Sequence, residues 1–366
     1  MTAGDAGREA TRADAPARRR IPLWDTARFS AIVLVVAGHA IQRLQGGSDA
    51  ASVVYLAIYC FHIPLLVLVS GYFAKDSLDA RGLRRIITDL ALPYLIFETI
   101  WSVVRWLVEG AWPIDYANAS WTLWFLLALI GWRLLLPLLA ATRWPLAASI
   151  GVSVLAGYSA QIDSTFALSR MLGLLPFFVL GWKLRRVRIA GADLSGWWTD
   201  LPARLVMRVR FAAAALLIAT VLTIALALPA WQELRLKEFL FFDSPYPAFG
   251  YEDWWAGAGR LAVLIIGATL SIAVLTLIPR REVAVTRLGA ATMYVYLLHT
   301  AVLYPLRESG ILADNADDLL LVVMLAASVG IAFLLSSKPV RLVFRPLVEP
   351  RATWLLAREG EESKDR

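Results

Sequence analysis

The chain has 366 residues, 59% of them hydrophobic, and a formal net charge of +7; its mean hydropathy is +0.62. A soluble domain carries about 45–50% apolar residues, so the balance excludes an ordinary soluble enzyme and predicts an all-α, polytopic integral membrane protein. A single cysteine, Cys60, excludes a disulfide within the chain and a cysteine-based metal site. Excess positive charge in such a chain speaks first to orientation and then to an anionic ligand, with no nucleic acid partner expected.

Residues 1–20 are rich in Ala, Arg, Asp and Gly and lack an apolar run. They read as a disordered, basic cytoplasmic leader. Arg18, Arg19 and Arg20 precede the first span, which is of membrane length and lacks a small-residue cleavage site, so it reads as a retained anchor. A membrane span needs roughly 20 mostly apolar residues. About ten such stretches are predicted, near 25–44, 52–74, 86–109, 120–140, 145–161, 166–183, 209–230, 258–279, 288–306 and 317–337. Lys and Arg fall in alternate loops, as the positive-inside rule expects if both termini are cytoplasmic. The expected organisation is a leader (1–20), a transmembrane domain (21–338) and a polar cytoplasmic tail (339–366) in the cell membrane, among membrane lipids. Two loops are long. The basic one from Lys183 carries Trp197 and Trp198 and suits the bilayer surface. The one from Trp231 to Gly257 is aromatic, acidic and proline-containing, and suits an ordered cap outside the membrane.

The first span, WDTARFSAIVLVVAGH from Trp24 to His39, carries the most informative pattern. Arg28 and His39 are eleven positions apart. Eleven steps on a helix turn through about 1100°, close to three full turns, so both side chains share a face, about 16 Å apart along the axis. Asp25 lies three residues before Arg28 on the same face and is placed to neutralise it. Polar groups within a span are costly and point to function.

The three histidines, His39, His62 and His299, all fall within predicted spans at similar depth. Each could simply pack against a neighbouring carbonyl; their common depth favours a site. No regular acidic spacing accompanies them, so no metal is expected. Span two holds His62, Pro64 and Ser70 in FHIPLLVLVSGY, which reads equally as a proline kink and as a site-shaping segment. Arg81, Arg84 and Arg85 read as positive-inside charges or, as a group, as a clamp for an anionic cofactor, since guanidinium binds phosphate in bidentate fashion. Glu98 is a buried carboxylate that pairs with Arg105 or with a histidine. Trp121 and Trp124 suit interface anchoring or stacking on a sugar ring. Tyr296 and His299, three apart, share a helix face.

These stretches, with RGLRRIITDLALPYLIFETIW, LWFLLALIGWRLL and LGAATMYVYLLHT, occur in an order that resembles the membrane acyltransferase-3 family, most similarly its fucose 4-O-acetylase-like branch. The resemblance implies a ten-helix enzyme that transfers an acyl group, usually acetyl, from acyl-CoA to a hydroxyl of a glycan or glycoconjugate. It implies that His39 is the catalytic histidine, that Arg28 belongs to the same motif, and that the Arg81/Arg84 pair lies on the CoA side. The residues agree with this: His39 would act as general base, Asp25 would orient Arg28, Arg81, Arg84 and Arg85 would hold acetyl-CoA, and Arg28, His62 or Tyr296 would stabilise the oxyanion. His62, Ser70, Glu98, Trp121, Trp124, Tyr296 and His299 are the expected acceptor-side residues. Two rival readings are a transporter or flippase with the histidines as proton carriers and a non-catalytic component of a polysaccharide assembly complex. No internal repeat supports the first.

Overall fold

A computed structural model describes residues 21–110, 114–189 and 191–351, except the side chains of Leu194 and Ser195. The predicted leader and the last part of the predicted tail, 352–366, lie outside the described residues.

Helix α1 (Pro22–Ile41) begins with proline at its first turn, where a missing N–H costs nothing because that donor has no intrahelical partner. Thirteen of its twenty residues are buried, which puts α1 inside the bundle rather than against lipid. Helix α2 (Asp49–Tyr59) is capped by Ser48, whose Oγ accepts from the Ala51 N–H at 3.0 Å and donates to Asp318 at 2.8 Å. The single span predicted at 52–74 is in fact two helical halves, α2 and α3 (His62–Tyr72), separated at Cys60 and Phe61. Pro64 explains the break, because it cannot donate to the carbonyl four residues back, that of Cys60. His62 thereby becomes the first residue of a half-helix.

Helix α4 (Ala80–Ile86) runs through a π turn (Ile87–Ala91) into α5 (Leu92–Glu109). The widened turn falls where Pro93 leaves the Asp89 carbonyl without its usual donor. Helices α6 (Trp124–Ala140), α7 (Pro145–Ala156) and α8 (Leu168–Leu184) follow. The predicted surface loop folds into a two-stranded hairpin, β1 (Arg188–Ile189) and β2 (Ala192–Asp193), and a short helix (Leu194–Thr199). Its Trp198 ring lies 4.2 Å from the Arg280 guanidinium, which fastens the loop to the end of the helix before Arg280. Helix α9 (Ala203–Leu226) starts earlier than predicted and buries only Ala213 and Ile224, so its sides are left for lipid. The predicted cap is folded, with short helices Leu228–Glu233 and Leu236–Phe241 and a 3-10 turn (Tyr246–Phe249). Helices α10 (Ala256–Leu277), α11 (Thr292–Glu308) and α12 (Asp318–Leu335) complete the bundle. Part of the predicted polar tail is helical: α13 (Lys338–Val348) presents Leu342 and Val343 on its surface beside Arg345 and buries Val348.

Each of the ten predicted spans has a helix at its position. Among the described residues, seven helical stretches are long and apolar enough to cross a membrane, and α6 and α7 are shorter apolar helices.

In lipid, helices gain little from apolar burial against one another and associate through close packing. The tightest crossing is that of α3 on α8. A Cβ on Gly71 would lie 2.0 Å from the Phe178 carbonyl oxygen, and one on Gly181 would lie 1.9 Å from that of Leu68. These contacts are with backbone, which cannot turn aside. Gly71→Ala and Gly181→Ala should each cost about 1–3 kcal/mol through overpacking. Gly330→Ala, where no atom lies within 4 Å of the added Cβ, should leave thermal unfolding in detergent unchanged.

Candidate functional site

Two cavities open along α1, one toward each end. The first, of about 730 Å³, is lined by Asp25 and Arg28 near the start of α1. The second, of about 590 Å³, is lined by Val35, His39 and Gln42 near its end. Helical geometry therefore delivers the predicted line of polar groups but assigns its two ends to different cavities. Arg28 and His39 do not face one space.

The Arg28 cavity is basic. Seven basic side chains, Arg28, Arg81, Arg85 and Arg133 among them, face four carboxylates. Arg28 lies 3.9 Å from Asp25 and stacks on the Phe73 ring at 4.1 Å. Asp79 accepts the Gly82 N–H at 2.7 Å and caps α4, which sets the direction of the helix that carries Arg81 and Arg85. Arg186 bonds Asp76 at 2.8 Å, tying the hairpin region to the segment after α3. Arg84, expected beside Arg81, is half-buried and does not line this cavity; Arg81 and Arg85 do. Spacing does not make this choice, because Arg81 is a helix neighbour of both Arg84 and Arg85; the packing around α4 does. Arg133 went unnoticed in the sequence. Its signal was a lone cation inside the apolar run LIGWRLLL.

The His39 cavity is aromatic and mixed in charge. His62, Trp121, Trp124 and Tyr296 line it, and Tyr55, Tyr59, Arg170, Asp243 and Arg307 join them. Tyr59 meets the His62 ring edge to face at 4.6 Å. His62 donates from Nδ1 to the Ile58 carbonyl at 2.8 Å across the break between α2 and α3. The Tyr296 hydroxyl donates to the Thr122 carbonyl. These bonds occupy the donors that His62 and Tyr296 were expected to offer an oxyanion. Arg170 pairs with Asp243 at 2.8 Å and lies 4.9 Å from the Trp124 ring, so the cap is held directly over the cavity.

One wall is the segment from Ile114 to Leu123. Trp121 adopts a left-handed backbone, φ 54°, a conformation that costs a bulky residue of order 1–3 kcal/mol and persists only when surroundings enforce it. Its ring is enclosed by Trp101 at 5.8 Å, Tyr304 at 5.2 Å and the Arg307 guanidinium at 4.0 Å. Glu98 anchors the same segment. It is fully buried, accepts the Ser120 N–H at 2.7 Å and the Ser120 hydroxyl, and lies 3.6 Å from Arg105. Of the two partners open to it, Glu98 thus takes Arg105. It does not itself line the cavity. At the rim, the Asn118 amide and the Ala117 N–H donate to Asp115 and hold its carboxyl below the usual carboxylate range.

Ser70 and His299 also lie outside the lining of either cavity. Ser70 donates to the Leu66 carbonyl at 2.8 Å within its own helix. His299 is fully buried, with its ring centroid 5.5 Å from that of His39. Among the described residues, no group of three or more His, Cys, Asp or Glu side chains is arranged to hold a metal ion.

The described residues form a mostly helical bundle with seven membrane-length helical stretches, a basic cavity at one end of a central helix and a histidine-lined cavity at the other, the build of a membrane protein. A model of the acyltransferase-3 family, described as an acyltransferase domain, matches residues 21–337; the chain belongs to this family. Two similar proteins are both nodulation protein NolL. The one from Sinorhizobium fredii is 30% identical over 188 residues, 46% of this chain and 49% of that protein. The one from Mesorhizobium japonicum is 30% identical over 91 residues, 24% of each. The chain thus spans about a quarter and about half of the length of these relatives. No solved structure matches it.

Replacing Glu98 should unfasten the Trp121 wall. Glu98→Ala takes the carboxylate from a buried ion pair and should cost about 3–5 kcal/mol, read as earlier thermal unfolding and faster proteolysis within 114–123.

Proposed function

We propose that the chain is a membrane O-acyltransferase, moving an acyl group, acetyl foremost, from acyl-CoA to a hydroxyl of a sugar or glycoconjugate. The observation that carries this reading is the pair of cavities at the two ends of α1, in a chain that belongs to the acyltransferase-3 family. The basic cavity suits a polyanionic nucleotide head. Arg81, Arg85 and Arg133 are placed on it, and guanidinium matches phosphate geometry. A donor with a long arm is required, because the eleven helical steps from Arg28 to His39 rise about 16 Å. The other cavity suits a hydroxylated ring, with aromatic faces from Trp121 and Trp124 and polar groups from Asn118, Asp115 and Asp243.

In the reaction, the acceptor oxygen attacks the thioester carbonyl while His39 takes the hydroxyl proton. The carbon–sulfur bond then breaks, the ester remains on the acceptor, and the thiolate leaves as the thiol with the proton His39 held. Arg170 and Arg307 supply positive field for the developing oxyanion. Arg28 acts in the donor cavity instead, oriented by Asp25. The loop charges support cytoplasmic termini and ten crossings of the cell membrane, with the basic cavity facing the cytoplasm, where acyl-CoA is made. Within the family we place the chain nearest the fucose 4-O-acetylase-like branch, on the stretches that carry the resemblance.

Acetyl-CoA at 100 times its dissociation constant should add about 2.7 kcal/mol of apparent stability to the detergent-purified protein. ATP should add little, and Arg85→Ala or Arg133→Ala should shrink the shift. His39→Ala should preserve that shift yet lower transfer of labelled acetyl from acetyl-CoA to membrane glycans by on the order of 10²–10⁴-fold. Unchanged transfer in His39→Ala sinks the mechanism.

A further inference from the structure

His299 has no place in the scheme above, yet its surroundings are specific. Its Nδ1 lies 2.8 Å from the Tyr296 carbonyl oxygen and 3.0 Å from that of Val295. Both are pure acceptors, so Nδ1 must carry the hydrogen, and in the neutral ring Nε2 must carry the lone pair. That Nε2 is buried and makes no hydrogen bond. A buried acceptor left unmade is expensive, and native structures retain one only for a reason. The His39 ring is a candidate partner, with centroids 5.5 Å apart and planes inclined by 36°. A centroid separation of 5.5 Å is close to that of two imidazoles joined through ring nitrogens by an N–H···N bond of about 3 Å, and His39 also lines the cavity.

We propose that His299 is a positioning residue for His39: its Nε2 accepts a hydrogen bond from the His39 ring N–H and fixes the tautomer that presents a lone pair to the acceptor hydroxyl. This rests on His39 as the base. The arrangement is that of a base oriented by a third group, with a neutral imidazole in place of a carboxylate and the helix backbone of α11 holding its tautomer. The proton balance is unchanged. His39 takes one proton from the hydroxyl and returns it to the leaving thiolate, while the N–H toward His299 is shared and never released.

The other titratable and charged groups around His39 and its cavity are His62 on α3, Tyr55 and Tyr59 on α2, Arg105 on α5, Arg170 on α8 and Tyr296 and Arg307 on α11, with Asp115 and Asp243 across the cavity. His62 is not an equivalent partner. Its Nδ1 is likewise spent on a carbonyl, but it lines the open cavity and its other nitrogen is not stranded in the protein.

The test uses the fact that the chain contains three histidines. The rate at which diethyl pyrocarbonate modifies His39 is followed by peptide mass spectrometry across pH, in full-length detergent-purified protein. His299→Leu, which offers no acceptor, should move the pH midpoint of His39 reactivity by at least about half a unit. His299→Gln, whose side-chain oxygen can accept, should restore it. In parallel, acetyl-CoA-dependent acetyl transfer should fall in kcat by on the order of 10- to 100-fold in His299→Leu, with KM for acetyl-CoA within about twofold, and recover in part in His299→Gln. If His299→Leu does not fold, the wild-type and His299→Gln profiles are compared with that of His299→Ala. A His39 profile that is the same in every folded variant overturns the proposal. The modification experiment needs no turnover, so it stands apart from the His39→Ala activity test, which decides the functional reading itself.

Discussion

Asp25, Arg28 and His39 ride on a helix that the rest of the bundle encloses, and within hydrocarbon each such group must find its partners in protein. That requirement organises the fold. Asp25 and the Phe73 ring attend Arg28 at one end, and at the other a shell of tyrosines, tryptophans and two further histidines gathers around His39. The helices that meet lipid, α9 above all, carry almost no polar side chains in their middles and bury little. Polar groups are concentrated where α1 can serve them.

The walls of the His39 cavity are held more firmly than a connecting loop ordinarily would be. Trp121 keeps a left-handed backbone because three aromatic and guanidinium neighbours enclose its ring and because Glu98 grips Ser120 beside it. On the facing side, the Arg170–Asp243 pair and the bond from the Ser169 hydroxyl to the Phe242 carbonyl at 2.9 Å fix the cap to α8. Both devices spend buried polar contacts on holding a shape.

The Arg28 cavity is built on other terms. Its basic groups come from α1, the α4 region, α6 and the segment after α8, and several are partly exposed. Screened charges of this kind contribute little to stability, but together they give the cavity a net positive field. A cavity walled by aromatic rings and anchored segments and a cavity lined by partly exposed charges therefore share one helix.

Composition and helical period determined much of this protein by themselves. The membrane class, the positions of the helices, the shared face of Arg28 and His39 and the break at Pro64 are all local consequences of residue type and 3.6-residue geometry. The sequence also showed that Glu98 needed a partner, without choosing between Arg105 and a histidine. Only the tertiary structure decided that Arg28 and His39 open onto different cavities, that Arg85 rather than Arg84 lines the basic one, and that Ser70 bonds within its own helix. It alone placed His299 close to His39 but outside the lining of both cavities, and brought Arg133, Arg170, Asp243 and Arg307 to them. The physical reason is that burial and pairing are settled between side chains on different helices, 260 residues apart for His39 and His299, and no pattern along one helix records what the next one brings to meet it.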